Sequence, residues 1–298
     1  MFSFDQLRGF VAVAEELHFG RAAERLNMTQ PPMSRQIQKL ERAIGVQLFE
    51  RDNRRVELTA AGAAFLSEAR RLLSLADNAP DLARRISAGS AGTVRIGFTA
   101  ASMFAVLPAV LRRIDERLPE VDVDLYEMVT REQVEALLAH ELDLGLARPP
   151  FDPDVFDSRV ISREAIMAAV PAGHRLTRLG RPIEAEDLAS EPLIMHAPGK
   201  ARYFYDLVVS LVSIRHQNVV HSISQVVTMI WLVSAGRGIA FVPEAATRLG
   251  IDGVEFLRLV GGAGKPVELH LLWLKDAKNP ALWQILDQVE GLSPQAMP

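Results

Sequence analysis

Apolar positions recur at three- and four-residue spacing from the start of the chain, and Leu7, Phe10, Val11, Ala14 and Leu17 make one face of an amphipathic helix. Gly20 breaks that pattern, and Arg21-Ala22-Ala23-Glu24-Arg25-Leu26 predicts a short second helix whose alanines allow a neighbour to approach closely. Asn27-Met28 reads as a tight turn, since Asn tolerates a left-handed backbone. Thr29 then caps a third helix, and Pro31-Pro32 suit its first turn, where backbone N–H groups have no intrahelical partner. Met33, Ile37, Leu40 and Ile44 are its buried stripe, Gly45 ends it, and Gln30, Ser34, Arg35 and Gln38 are left on the other side. Val46–Arg51, a turn at Asp52-Asn53 and Arg54–Leu58 predict a β-hairpin with Arg54 and Arg55 at its tip.

Thr59 is placed to cap a fourth helix running to Ser87. Phe65, Ala69, Leu72, Ala76, Ala79, Ala83 and Ile86 alternate spacings of four and three, the seam of a coiled coil that needs a partner helix. Pro80 interrupts the run and predicts a kink or break there, with Asn78 available as a new cap. Ser87–Gly92 has the composition of a flexible hinge. Beyond it, strands and helices alternate. Val94–Phe98, Val121–Leu125 and Leu142–Arg148 are strands, separated by helices through Leu107–Leu118 and Val134–His140, which implies a parallel sheet. A second set follows, with strands at Ala165–Val170, Leu193–His196, Asn218–Ser222 and Ile239–Pro243 and helices at Glu184–Ala189, Ala201–Val212 and Val226–Ala235. Val267–Leu274 and Ala281–Val289 close the chain as strand and helix.

With 298 residues, 49% of them hydrophobic and 23% charged, the chain has the balance of an ordinary globular protein of two or three domains. There is no cysteine, which excludes disulfides, thiolate metal sites and cysteine nucleophiles. Asp5 interrupts any secretory leader, and the most apolar run, Val226–Val233, is too short to span a bilayer, so a cytoplasmic location away from the membrane is expected. The net charge of −4 is uneven: residues 1–90 carry +2, residues 91–298 carry −6, and Gly20–Ala60 alone carries +3. A basic patch on an acidic protein is a local footprint for a polyanion. Long polar side chains at the start of a helix suit the reading of base edges in a major groove, and an arginine-tipped hairpin suits the backbone or minor groove beside it. A small helical bundle with a solvated polar face would share the helices but not the basic wing.

The segments AAERLNMTQPPMSRQIQKLE, LFER and LTAAG, in that order and spacing, resemble the winged helix–turn–helix of LysR-type transcriptional regulators over nearly all of residues 1–65. The resemblance implies DNA contacts from Gln30, Pro31, Pro32, Ser34 and Arg35, with Arg54 reaching from the wing into the minor groove, and Thr29 at the helix start and Gln38 on its polar side are further candidate contacts. It also implies dimerisation through the fourth helix, a homodimer or homotetramer on a double-stranded promoter operator, and RNA polymerase as a further partner. The expected fold is α/β, with an α-rich N-terminal winged helix–turn–helix and an effector domain of two α/β subdomains like those of periplasmic binding proteins. The expected boundaries are 1–59 for the DNA-binding domain, 60–88 for the linker helix and 92–298 for the effector domain. Within the last, 92–162 with 267–298 form one subdomain and 163–266 the other.

Ligands of such sheets sit beyond the carboxyl ends of the strands. Thr99 and Ser102 follow the first strand, Thr130 the second and Arg148 the third, a set of hydroxyls and a guanidinium suited to a carboxylate. Each also has an ordinary structural reading, Ser102 and Thr130 as helix caps and Arg148 as an ion-pair partner. DLYEMVTREQVEALLAHELDLGLAR looks most like the family's regulators of aromatic-compound degradation, which sense benzoate- or muconate-type acids. That resemblance implies effector contacts from Thr130 and Arg148 and an apolar wall from Phe204. A serine carried by some relatives falls on Ala101 here, leaving Thr99 and Ser102 as the hydroxyls to replace it. His196 is a further donor near the cleft, with a core role equally open. No G-x-S-x-G, P-loop, G-x-G-x-x-G or H-E-x-x-H motif occurs, and His216 and His221 lack a third ligand in spacing, so no catalysis, metal or cofactor is expected. The alternatives are a small-molecule-binding protein of the solute-binding fold, or an enzyme on the same scaffold.

Overall fold

The computed structural model describes residues 1–52, 55–264, 266–290 and 292. They fall into two compact units, Met1–Arg85 and Ile86–Pro298.

In the first unit, α1 (Phe4–Glu16), α2 (Phe19–Arg25) and α3 (Gln30–Ile44) are followed by the antiparallel pair β1 (Phe49–Asp52) and β2 (Arg55–Leu58), then the long α4 (Ala60–Ser87). Phe10, Val13, Ala22, Met33, Ile37, Leu40 and Leu48 form a core with exposures of 0%. Three of the expectations for this unit are corrected. The first helix ends not at Gly20 but at Leu17, which takes the left-handed conformation. Gly20 lies inside α2, where its amide and that of Arg21 donate to the His18 ring, so a histidine cap starts the helix at the point where the glycine was expected to break one. Thr29 stands at the N-cap of α3 with an extended backbone, but its hydroxyl takes no capping hydrogen bond. Thr59 does cap α4, its hydroxyl accepting from the Gly62 amide.

The fourth helix is also corrected. Of the kink or break expected at Pro80, the break is absent: the helix is continuous from Ala60 to Ser87. The predicted seam divides along its length: Ala69 is fully buried and Phe65 packs with it into the unit's own core, whereas Leu72, Leu75, Leu82 and Ile86 stand exposed. With Ala79, these last four repeat at alternating intervals of three and four.

The second unit holds two five-stranded sheets. Its elements are β3 (Gly92–Phe98), α5 (Val106–Arg117), β4 (Val121–Glu127), α6 (Thr130–Leu138), β5 (Leu144–Ala147), β6 (Phe156–Glu164), β7 (Ile166–Pro171), β8 (Leu193–His196), α7 (Arg202–Leu211), β9 (Val219–Ile223), α8 (Val226–Ser234), β10 (Ile239–Pro243), β11 (Val254–Arg258), β12 (Val267–Leu274) and α9 (Pro280–Gln288). One sheet is ordered β4-β3-β5-β12-β6 and the other β11-β7-β10-β8-β9. β3 pairs in parallel with β4 and β5, as their strand–helix alternation implied, but neither sheet is wholly parallel. β12 runs antiparallel to β5 and β6, and β7 antiparallel to β10 and β11. The chain leaves the first sheet through β6 and returns through β12, and this outgoing and returning pair runs counter to each other. β6 and β11 were not expected. Both lie at sheet edges, where burial does not impose a clean alternation. The helix expected at Glu184–Ala189 is a 3₁₀ turn, Ala185–Leu188.

The stretch after α4 has contacts of its own. Gly89 has φ +75° and lies where any Cβ would overlap the Pro280 carbonyl, while the Gln284 amide donates to Ala88. Glycine serves close docking on α9 there.

Candidate functional site

Two regions gather the candidate residues, one on each unit.

On the first unit, α1 packs on the inner face of α3, where Gly9 allows it close to Met33 and Gln36. The outer face of α3 carries Gln30, Pro31, Arg35, Gln38 and Lys39 exposed, with Pro32 and Ser34 half-buried, and Thr29 is exposed at its start. No ion pair holds Arg35 or Lys39 among the described residues. The other basic residues nearby are differently placed. Arg25 and Arg70 both pair with Glu15, and Arg21 pairs with Glu16. Arg55 of the hairpin pairs with Glu57 as well, so the positive charge over Gly20–Ala60 that is left without an ion pair among the described residues includes Arg35 and Lys39 on the exposed side of α3. Arg54 lies outside the described residues.

On the second unit, the carboxyl ends of the parallel strands β3 and β5 deliver Thr99 and Arg148 to one edge of the first sheet, and β8 delivers His196 to an edge of the second. The two edges meet. The 3₁₀ turn Ala100–Phe104 after β3 sets Ala101 and Phe104 against Val226, Met229, Ile230 and Val242 of the second sheet's layer. Ala101 thus has an apolar environment in this protein.

Arg148 is the centre of the junction. Its backbone amide donates to the Thr130 hydroxyl at 3.1 Å, which fixes where the side chain departs. Its Nη1 donates to the Glu268 carbonyl at 2.7 Å. Its guanidinium lies 4.6 Å from the ring centre of Phe204 and 5.6 Å from that of Tyr203, both on α7 of the other lobe. The Tyr203 hydroxyl donates to Pro266 and accepts from the Glu268 amide, tying α7 to the returning strand β12. Arg148 is only 4% exposed, yet no carboxylate lies within ion-pairing distance of it among the described residues, and its Nε has no hydrogen-bond partner. Burial lowers its pKa, against the opposing pull of Glu164, but an arginine keeps its charge at neutral pH. Burial in turn raises the Glu164 carboxyl, whose oxygen accepts from the Ala245 amide.

The remaining candidates divide. Thr99 Oγ1 is buried without a partner. Ser102 is buried too, but its hydroxyl donates to the Thr99 carbonyl at 2.6 Å and is spent on the turn. Phe204 is 7% exposed and stacks on the His196 ring, centroids 4.8 Å apart at 18°. His196 is fully buried, with Nε2 2.7 Å from the Phe241 carbonyl and Nδ1 unpartnered. Burial is the main cause that pushes its pKa down to about 4. Tyr203 and Glu164 were not singled out in the sequence. Their only signal there is adjacency, Tyr203 to Phe204 and Glu164 to the point where the chain changes sheets.

A buried cation with no ion pair among the described residues, in contact with groups from both sheets, is chemically able to hold an anion. Among the described residues, no group of three His, Asp or Glu side chains is placed to hold a metal ion, and no helix is long and apolar enough to cross a membrane.

The comparisons with known proteins follow the same division. Residues 4–63 match the family "Bacterial regulatory helix-turn-helix protein, lysR family", and residues 87–292 match "LysR substrate binding domain". The chain is 39% identical over 272 residues to the uncharacterized HTH-type transcriptional regulator YnfL of Escherichia coli K12, covering 90% of this chain and 91% of that protein. It is 38% identical over 297 residues to the HTH-type transcriptional regulator IlvR of Caulobacter vibrioides, covering 97% and 98%. Full-length CbnR in complex with its target DNA has a similar structure, with a TM-score of 0.74 at 31% identity over 97% of this chain and 98% of that one.

Proposed function

The chain belongs to the LysR family of bacterial transcriptional regulators, and we propose that it is switched by a small acid held by Arg148 between the two sheets of its C-terminal unit. It is a DNA-binding regulator with an effector-binding domain. The observation that carries the effector reading is the buried guanidinium of Arg148, in contact with Phe204 across the junction and without a carboxylate of its own. An aromatic or dicarboxylic acid fits best, because the wall beside the cation is the flat ring of Phe204 stacked on His196. An acid bound there changes the angle between the sheets only as far as it binds one arrangement better than another. We read the cleft as binding its ligand without turnover, in a cytoplasmic homo-oligomer. We assign residues 1–59 to the DNA-binding domain, 60–88 to the linker and 92–298 to the effector domain.

A thermal-shift panel of benzoate, muconate, salicylate and non-aromatic controls tests the acid reading. An acid at ~100 times its dissociation constant stabilises the protein by about 2.7 kcal/mol, a shift of a few degrees. Arg148→Gln is expected to abolish that shift. Shifts that survive the substitution, or their absence for every acid, would remove the acid from the mechanism.

For DNA, we assign the contacts to Gln30, Pro31, Pro32, Ser34, Arg35 and Gln38, with Thr29 at the helix start. Arg35→Ala is expected to lower specific operator affinity by about 1–3 kcal/mol at fixed salt, roughly five- to 150-fold, with a smaller loss on random DNA. Equal losses on both in an anisotropy titration would make Arg35 a backbone contact.

A further inference from the structure

A second orphaned atom beside Arg148 carries chemical information that the cation does not. The Phe241 carbonyl can only accept, so its 2.7 Å contact places the proton of His196 on Nε2. The fully buried ring is held neutral by its surroundings, and a neutral imidazole protonated on Nε2 offers Nδ1 as an acceptor only. That nitrogen is buried and meets no donor among the described residues. Buried acceptors are satisfied in nearly all folded proteins, and one left open at a strand's carboxyl end, in a binding cleft, points to a donor that arrives with the ligand. His196 stacks on the ring of Phe204, the Arg148 guanidinium lies 4.6 Å from the centre of the same ring, and its charge reaches His196.

We propose that the effector is a hydroxy acid, whose anionic group pairs with Arg148 and whose hydroxyl donates to His196 Nδ1. The inference rests on the acid reading of the cleft given above. The donor is a neutral hydroxyl and not an ammonium, because the charge of Arg148 already reaches His196 and a second cation would meet it in a poorly screened interior. Thr99 Oγ1, another buried polar atom without a partner, can donate or accept, and so serves either the hydroxyl's lone pair or an oxygen of the anion.

Calorimetric titration of the full-length protein with acids differing by one hydroxyl tests this. The pairs are benzoate with meta- and para-hydroxybenzoate, and propanoate with lactate, with alanine as the ammonium-bearing control. In at least one series the hydroxylated acid is expected to bind on the order of tenfold or more tighter than its parent, because a site built for a hydroxyl rejects the analogue that lacks it. His196→Phe keeps a flat ring on Phe204 but removes the acceptor, and the ratio between paired acids is expected to fall to near one. His196→Gln, whose amide can donate to Phe241 while its oxygen accepts, is expected to restore part of the preference. The wild-type ratio stands as a test whether or not His196→Phe folds. Acids that bind through Arg148 with no hydroxyl preference, tighter binding of alanine, or a preference unchanged in His196→Phe would overturn this inference and leave the acid reading intact. If no acid binds, or binding survives Arg148→Gln, the acid reading falls and this inference with it.

Discussion

Leu75→Glu combined with Leu82→Glu is expected to convert the protein from dimers or tetramers into monomers at micromolar concentration. The two leucines are 59% and 46% exposed on α4, although a leucine side chain in water forgoes a favourable transfer. They stand seven residues apart, and Leu72, Ala79 and Ile86 form the alternate row of the same stripe. A helix of 28 residues is ~42 Å long, so this row presents an apolar edge over several turns, with Leu72, Leu75, Leu82 and Ile86 all exposed. In a paired helix, four leucines per dimer lose their burial, each worth roughly 1 kcal/mol given their partial exposure. The sum of about 4 kcal/mol is about three orders of magnitude in the dimer dissociation constant, before repulsion between the new glutamates. Sedimentation velocity reads the change directly. Operator footprints should shrink to a weak half-site, while acid binding at Arg148 persists. A double variant that still sediments as the wild type would show that α4 does not hold the oligomer together.

The same helix shows how far the sequence could be read. Its heptad spacing announced a seam, but spacing alone does not say which neighbour each stretch meets. Phe65 and Ala69 turned inward to the core of their own unit, and the free stripe shifted from Ala76 and Ala83 to the bulkier Leu75 and Leu82 beside them. The second and third helices were legible because Ala22, Ala23, Met33, Ile37 and Leu40 repeat with a period that only one burial pattern satisfies. The histidine cap at His18 was not, since a ring nitrogen capping a helix leaves no periodic mark. In the cleft, the carboxyl ends of strands located Thr99, Thr130 and Arg148 correctly in space, but not their tasks. Thr130 anchors the Arg148 backbone, and Ser102 is turned into its own 3₁₀ turn. Tyr203 and Glu164 depend on contacts with residues such as Pro266, Glu268 and Ala245, brought close only by the path of the chain through β6 and β12.

Lowering the pH from about 7.5 to 4 is expected to cost the wild-type protein on the order of 3 kcal/mol of stability relative to His196→Phe. The folded protein holds His196 at a pKa of about 4 against an ordinary 6.5, mainly by burial, with the charge of Arg148 adding to the effect and the Phe241 carbonyl opposing it. Between those two values the unfolded chain binds a proton that the folded protein refuses. Stability therefore rises with pH across the window, is complete above about 6.5, and is lost as pH falls toward 4. Each unit of depression is worth about 1.4 kcal/mol, which sets the size of the effect. Carboxyls elsewhere in the protein are shifted as well, Glu164 and Asp143 among them. Glu164, raised by burial, contributes stability that is lost as pH rises through its folded pKa. Asp143, lowered because hydrogen bonds from Arg95 outweigh its burial, contributes stability that is lost on acidification. Both are present in wild type and variant alike, so the difference between two urea-unfolding series isolates the imidazole. Phenylalanine leaves the Phe241 carbonyl without its donor, but that loss does not vary with pH and offsets the curves without tilting them. Parallel curves from pH 7.5 to 4 would mean that His196 protonates freely in the folded protein. A ring that protonates freely cannot offer Nδ1 as the fixed acceptor of the cleft.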